Sequence, residues 1–194
     1  MGTFYWVWTG FWVLFYLTHS ALATKQVKDW SRKQFPSLHE HYRIIYNTFN
    51  AVVFVGLWIY ASYFSSYYIL SPHSLIWIAA LGFLVFGAVV GLATFRTFDG
   101  GEFLLGKQTS EPQQLIETGW YGRVRHPLYF ALLLLLLGGL LMWPTAKMTL
   151  FVLISCVYLP FGMYWEEQKL LQVFGSRYKA YMRRTPQIIP YLWK

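Results

Sequence analysis

The chain has 194 residues, 56% of them hydrophobic and only 12% charged, about half the charged fraction usual for a water-soluble domain, so lipid rather than water must cover much of its apolar surface. A formal net charge of +8 would point to nucleic acid only as a basic face on a soluble module; here the basic residues lie between apolar stretches, which leaves the bilayer as the expected partner and excludes nucleic acid. The single cysteine, Cys156, excludes an internal disulfide and a thiolate metal cluster.

In chain order, five stretches meet or approach the roughly 20 apolar residues a transmembrane helix needs: 3–23, 44–66, 74–95, 127–143 and 147–165. The expected fold is an all-α integral membrane protein with five transmembrane helices. The first stretch has no basic residue before it and several after it, the reverse of a cleavable signal peptide, and is read as a retained span. Ten Trp and fifteen Tyr add amphipathic rings of the kind that sit at headgroup level. The third stretch carries Gly82, Gly87 and Gly91, and the spacing of four between the last two puts two bare patches on one face, suited to close helix packing. The fourth begins at Pro127, whose ring fits the first turn of a helix, and Trp143-Pro144 ends it. Only a few residues precede the fifth stretch, so the fourth and fifth helices should form a tight antiparallel hairpin.

The basic residues set the orientation. Fifteen of sixteen fall on one side of this arrangement, with Lys147 alone on the other, which makes the N-terminus external and the C-terminus cytosolic. All eight acidic residues share the basic side. The chain therefore reads as one multi-pass membrane domain over 1–194, in the cell inner membrane if bacterial. Its site would face the cytosol and be built from segments of about 96–129 and 160–194.

Both segments carry specific sequence. The entry to the fourth helix reads Gly119-Trp120-Tyr121-Gly122-Arg123-Val124-Arg125-His126-Pro127-Leu128-Tyr129, and the exit of the fifth reads Glu166-Glu167-Gln168-Lys169-Leu170-Leu171. The hairpin brings the two to one depth. The tail continues Phe174-Gly175-Ser176-Arg177-Tyr178-Lys179-Ala180-Tyr181, with Pro186 and Pro190 beyond. These motifs, in this order over roughly the C-terminal 80 residues, resemble the isoprenylcysteine carboxyl methyltransferase and phospholipid methyltransferase superfamily of membrane enzymes. His19-Ser20-Ala21-Leu22-Ala23 ahead of Lys28, and His41-Tyr42-Arg43-Ile44-Ile45-Tyr46-Asn47, are similar to its NnrU-type branch, which includes methanethiol S-methyltransferases.

The resemblance implies S-adenosylmethionine as cofactor, with Tyr121, Gly122, Arg125, His126, Tyr129, Glu166 and Glu167 matching family positions at its site and Gln108 as a further candidate. The residue types suit that ligand. Arg125 can offer a planar fork to a carboxylate, Glu166 or Glu167 can accept from an ammonium, the amino end of the fourth helix adds N–H groups and a positive dipole, and Trp120, Tyr121 and Tyr129 offer aromatic faces to adenine or sulfonium. Each residue also has a plainer reading: Arg-His at a cytosolic helix end is ordinarily a snorkelling anchor, and interfacial Tyr and Trp are belt residues. Adjacent carboxylates there gain nothing from the negative end of their own helix dipole, so Glu166 and Glu167 need a cation, either Arg125 or a bound ammonium.

His19 ends the first helix, with Tyr46, Asn47 and Asn50 at the matching end of the second, and intramembrane polar residues are costly enough to default to a functional reading. Either His19 bonds Asn47 or Asn50 across the helices, or these residues line an acceptor pocket with His19 as the catalytic proton acceptor. No metal-binding pattern such as HExxH or CxxC is present. The expected activity is an S-adenosylmethionine-dependent methyl transfer to a small or lipophilic thiol or carboxylate, an in-line displacement to which the protein contributes positioning and desolvation. An NADPH-dependent membrane reductase of sterol-reductase type and a non-catalytic membrane scaffold are the other classes; oligomeric state is not legible.

Overall fold

The computed structural model describes residues 2–71, 74–97 and 114–190. Among these residues the chain is helical: α1 (Gly2–Ala23), α2 (Lys25–Gln34), α3 (Pro36–His39), α4 (Tyr42–Ser62), α5 (Ser74–Phe95), a 3₁₀ turn at Gly119–Gly122, α6 (Pro127–Met142), α7 (Ala146–Phe174) and α8 (Ser176–Arg184). One isolated β-bridge joins Tyr68 to Thr145. Among the described residues three helices, α4, α5 and α7, are long and apolar enough to cross a membrane. Helix α6 is apolar but has 16 residues, below the usual spanning length. Helix α1 has 22 residues and no charge, with its apolar content carried largely by aromatic rings.

The chain divides into two compact units, whose described parts are residues 2–67 and residues 68–71, 74–97 and 114–190. In the first unit, α1 and α4 are joined by rings. Trp8 and Trp12 are fully buried, in edge-to-face contact with each other at 5.4 Å, and Trp8 meets Trp58 and Trp12 meets Phe54 at the same distance. These two tryptophans pack between helices, where edge-to-face pairs reward burial beyond the area they hide. The basic segment after α1, expected as a loop, is helical as well. Thr24 caps α2 by accepting from the Val27 amide, which supplies one of the donors a helix start leaves unsatisfied.

In the second unit, α5 and α6 run antiparallel at close range. A Cβ added at Gly87 would lie 3.0 Å from the Ala131 carbonyl and 3.1 Å from Leu134, and one at Gly138 would lie 2.8 Å from Leu84 and 3.0 Å from the Ala80 carbonyl. Val90, Ala131 and Leu134 form the buried centre of this contact, with Phe83, Trp120 and Phe130 around it. Helix α7 returns along α6 after a turn at 143–145, as the expected hairpin, and a Cβ at Gly162 would lie 2.9 Å from the Tyr129 hydroxyl.

The fifth apolar stretch was expected to end at 165, with the two glutamates at its exit. Instead α7 continues through them to Phe174. Glu, Gln, Lys and Leu are strong helix formers, so the helix does not stop where its apolar sequence does. It ends at Gly175, whose φ of 51° and ψ of −121° suit a residue without Cβ. This turn folds α8 back, so that Tyr178 and Tyr181 pack with Leu115, Leu170, Leu171, Phe174 and Met182.

Candidate functional site

The polar residues of the second unit converge where α6 begins. Gly119, with φ of +62° and the Thr97 hydroxyl 3.1 Å from where its Cβ would stand, turns the chain into the 3₁₀ segment that carries Tyr121 and Gly122. Val124 is fully buried, which anchors the backbone between them and Arg125. The Arg125 and His126 amides donate to the carbonyls of Pro186 and Gln187 at 2.9 and 3.0 Å. The tail thus uses two N–H groups that the sequence left for a ligand at the start of this helix, because the chain beyond α8 crosses back over that point.

A charge cluster follows. Arg125 Nη2 lies 3.0 Å from Glu167 Oε1, with the two side chains 11% and 10% exposed. His126 Nε2 lies 3.1 Å from the same oxygen, and its Nδ1 lies 3.6 Å from Glu166 Oε2. The second guanidinium arm, Arg125 Nη1, donates to the Met182 carbonyl at 3.3 Å. Glu166 remains 48% exposed, so one carboxylate is enclosed and its neighbour is open. Of the two partners the sequence allowed for the glutamates, the structure contains Arg125.

Tyr121 and Tyr129 border the cluster. The Tyr129 ring meets His126 edge to face at 5.5 Å. The Tyr121 carbonyl accepts from the Tyr181 hydroxyl at 2.6 Å; burial, and then the negative charge of Glu166, push the Tyr121 hydroxyl up to about 12. Gly122 is exposed, with the Glu117 carbonyl 3.1 Å from where its Cβ would stand. Gln108 lies outside the described residues.

The tail motif supplies site contacts that its sequence alone does not assign. Tyr181 holds Tyr121 and Met182 holds Arg125, while Glu117 pairs with Arg177 at 3.6 Å and with Arg184. The two arginines are seven apart and share one face of α8. The available signal was the Tyr-x-x-Tyr spacing, which puts two phenols on one helix face. Among the described residues, Arg125 Nε and the Tyr178 hydroxyl are buried polar atoms of this region without a hydrogen-bond partner. A cavity of about 260 Å³ is lined by Ala93, Thr97, Gly119, Trp120 and Arg123, with the Arg123 guanidinium 5.1 Å over the Trp120 ring.

In the first unit, His19 Nδ1 lies 3.1 Å from Asn50 Oδ1, and the Tyr46 hydroxyl lies 3.0 and 3.1 Å from the two ring nitrogens. Asn50 Nδ2 donates back to the Tyr46 carbonyl at 2.7 Å. Of the two asparagines open to His19 in the sequence, the structure pairs it with Asn50. Asn47 is half-buried, three residues earlier on the same helix.

The family model for phospholipid methyltransferases matches residues 73–177, which include every described residue of the charge cluster. Methanethiol S-methyltransferase of Crocosphaera subtropica is 25% identical over 93% of this chain and 72% of its own length, and that of Pseudomonas deceptionensis is 28% identical over 92% and 70%. Delta(14)-sterol reductase of Mus musculus is 31% identical over a shorter region, 58% of this chain and 29% of its own length. No solved structure matches the chain.

Proposed function

This chain belongs to the phospholipid methyltransferase family, and we propose that it uses S-adenosylmethionine to methylate a small thiol from the cytosolic face of the membrane. That it is a methyltransferase follows from the family and from its methanethiol S-methyltransferase relatives; the donor, the acceptor and the site residues are our reading. In this reading α1 and α6 also span, giving five membrane helices, with residues 1–194 acting as one domain.

The observation that carries it is the Arg125–His126–Glu166–Glu167 cluster. A methyl donor with an amino-acid end needs a cation for its carboxylate and an anion for its ammonium, both in a place with little water. Arg125 is the cation. It is fixed by Glu167 and by the Met182 carbonyl, yet keeps a buried Nε with no partner among the described residues. Glu166, half-exposed and 3.6 Å from His126, is the anion left open to a ligand. His126 holds both carboxylates in place. When bound, S-adenosylmethionine supplies an electrophilic methyl group on a sulfonium, and Tyr121 and Tyr129 offer ring faces that attract such a cation.

A thiol must lose its proton to become a strong nucleophile. His19, in the first unit with Tyr46, Asn47 and Asn50, is the proposed proton acceptor, since a neutral imidazole can take a proton near pH 7. The relatives' names favour a small thiol over the lipophilic carboxylate that the sequence also allowed.

The sterol reductase similarity supports a second reading, binding of a reduced nicotinamide cofactor. The cluster argues against it, because two adjacent carboxylates would repel the phosphates of NADPH. Calorimetric titration of the purified protein with S-adenosylmethionine and with NADPH tests both. Saturable binding of the first alone is expected; saturable binding of NADPH alone would replace the methyl-donor reading.

A further inference from the structure

The segment between α1 and α4 begins and ends at one place. The Tyr42 hydroxyl, at the start of α4, donates to the carbonyl of Leu22, at the end of α1, at 2.7 Å. Residues 25–41 are therefore an excursion that returns to the level at which it left, beside the first turn of a helix long and apolar enough to cross a membrane. In a bilayer that level is the headgroup region.

Helix α2 has the sequence that such a position rewards. Helical spacing puts Lys25, Lys28, Asp29, Arg32 and Lys33 on one side and Val27, Trp30, Ser31 and Gln34 on the other. Ser31 is buried, so the second side turns toward the protein at its middle, but the apolar residues at its edge do not follow it in. Trp30 is 57% exposed, Phe35 49% and Leu38 55%, with Trp30 and Phe35 in edge-to-face contact at 5.8 Å. Exposed apolar groups that stand together mark a surface built for contact. The basic side says with what: four cations against one carboxylate within the ten residues of α2 leave a surplus that anionic headgroups complement.

We propose that α2 and α3 form an interfacial surface for anionic phospholipid, with Trp30, Phe35 and Leu38 in the headgroup layer and Lys25, Lys28, Arg32 and Lys33 against the lipid phosphates. Amphipathic helices with basic residues on one face and Trp, Phe or Leu on the other lie in the plane of such interfaces. The anion is a lipid headgroup rather than free phosphate, because the two rings and Leu38 need an apolar neighbour that a soluble ion does not bring. The surface belongs to the first unit alone and stands whether or not the protein binds a methyl donor.

The test places a nitroxide label on the full-length protein at Leu38→Cys, and separately at Lys33→Cys for the basic side, in a Cys156→Ser background. The protein is reconstituted into nanodiscs of phosphatidylcholine alone or mixed with phosphatidylglycerol. Collision of the label with oxygen, which concentrates in lipid, is compared with collision with a water-soluble nickel chelate. The label at 38 should favour oxygen and the label at 33 the chelate, and phosphatidylglycerol should shift the label at 38 further toward oxygen. Lys25→Gln combined with Lys33→Gln, both at exposed positions, should abolish that shift. A label at 38 open to the chelate in both lipids would place the segment in water and overturn the proposal. Protection from both reagents would reveal a protein partner on this face and overturn it as well. Oxygen preference without a response to phosphatidylglycerol, a response that survives the double substitution, or a response that inorganic phosphate competes away would each overturn the assignment to anionic lipid. If Leu38→Cys does not fold, Phe35→Cys carries the label to the same decision.

Discussion

Glu167 Oε1 holds two donors at once, Arg125 Nη2 and His126 Nε2, in a pocket where the loss of one partner leaves a largely buried charge behind. Glu167→Gln keeps the shape and removes the charge, so it should lower thermal stability, because an uncompensated buried charge is costly. If the cluster also holds the methyl donor, Glu167→Gln and Arg125→Ala should each weaken S-adenosylmethionine binding by about 1.5–3 kcal/mol, measured by calorimetry on monodisperse folded protein. Unchanged affinity in both variants would make the ion pair purely structural. His19 divides in the same way. As the proton acceptor, His19→Ala should lower methyl transfer to a small thiol by roughly 10²-fold or more at saturating cofactor, with cofactor affinity intact. As no more than the partner of Asn50, it should cost about 1 kcal/mol of stability and spare turnover.

Among the helices, α5 shows how local pattern and packing separate. Gly82, Gly87 and Gly91 look equivalent in sequence, yet a Cβ at Gly82 would meet nothing within 4 Å, while one at Gly87 would press on the Ala131 carbonyl at 3.0 Å. Gly87→Ala and Gly138→Ala should therefore cost about 1–3 kcal/mol as overpacking, and Gly82→Ala should be neutral or slightly stabilising, all read from thermal unfolding in detergent. Gly175 is limited by its backbone alone: with open space around it but a φ of +51°, Gly175→Ala should cost about 1–2 kcal/mol. A loss of that size, without a change in the α5–α6 variants' behaviour, would show that the turn into α8 is independently strained. Fraying of α8 in the same variant, followed by hydrogen exchange, would link the turn to the cover over Arg125.

For the whole molecule, the basic residues predict sidedness within each unit. Cysteines placed in a Cys156→Ser background should label from the cytosol at Lys33 and from outside at Ser66 in the first unit, and from the cytosol at Gln114 and from outside at Lys147 in the second. External labelling at Gln114 would overturn the cytosolic site. Much of this architecture was legible in sequence because it depends on local sums: about 20 apolar residues select lipid, Pro127 starts α6, and the order of Arg125-His126-Pro127 and Glu166-Glu167 marks the family. The continuation of α7 through the glutamates to Phe174 was legible too, in the strong helix formers that follow Trp165. What sequence could not decide depends on which surfaces meet through space. The tail's use of the Arg125 and His126 amides turned on its path beyond α8, and the choice of Asn50 over Asn47 turned on the packing of α1 against α4. The sequence alone determined the apolar stretches that seek lipid and the chemical groups between them. Tertiary structure decided which of those groups pair with each other, because pairing depends on distances between residues far apart in the chain.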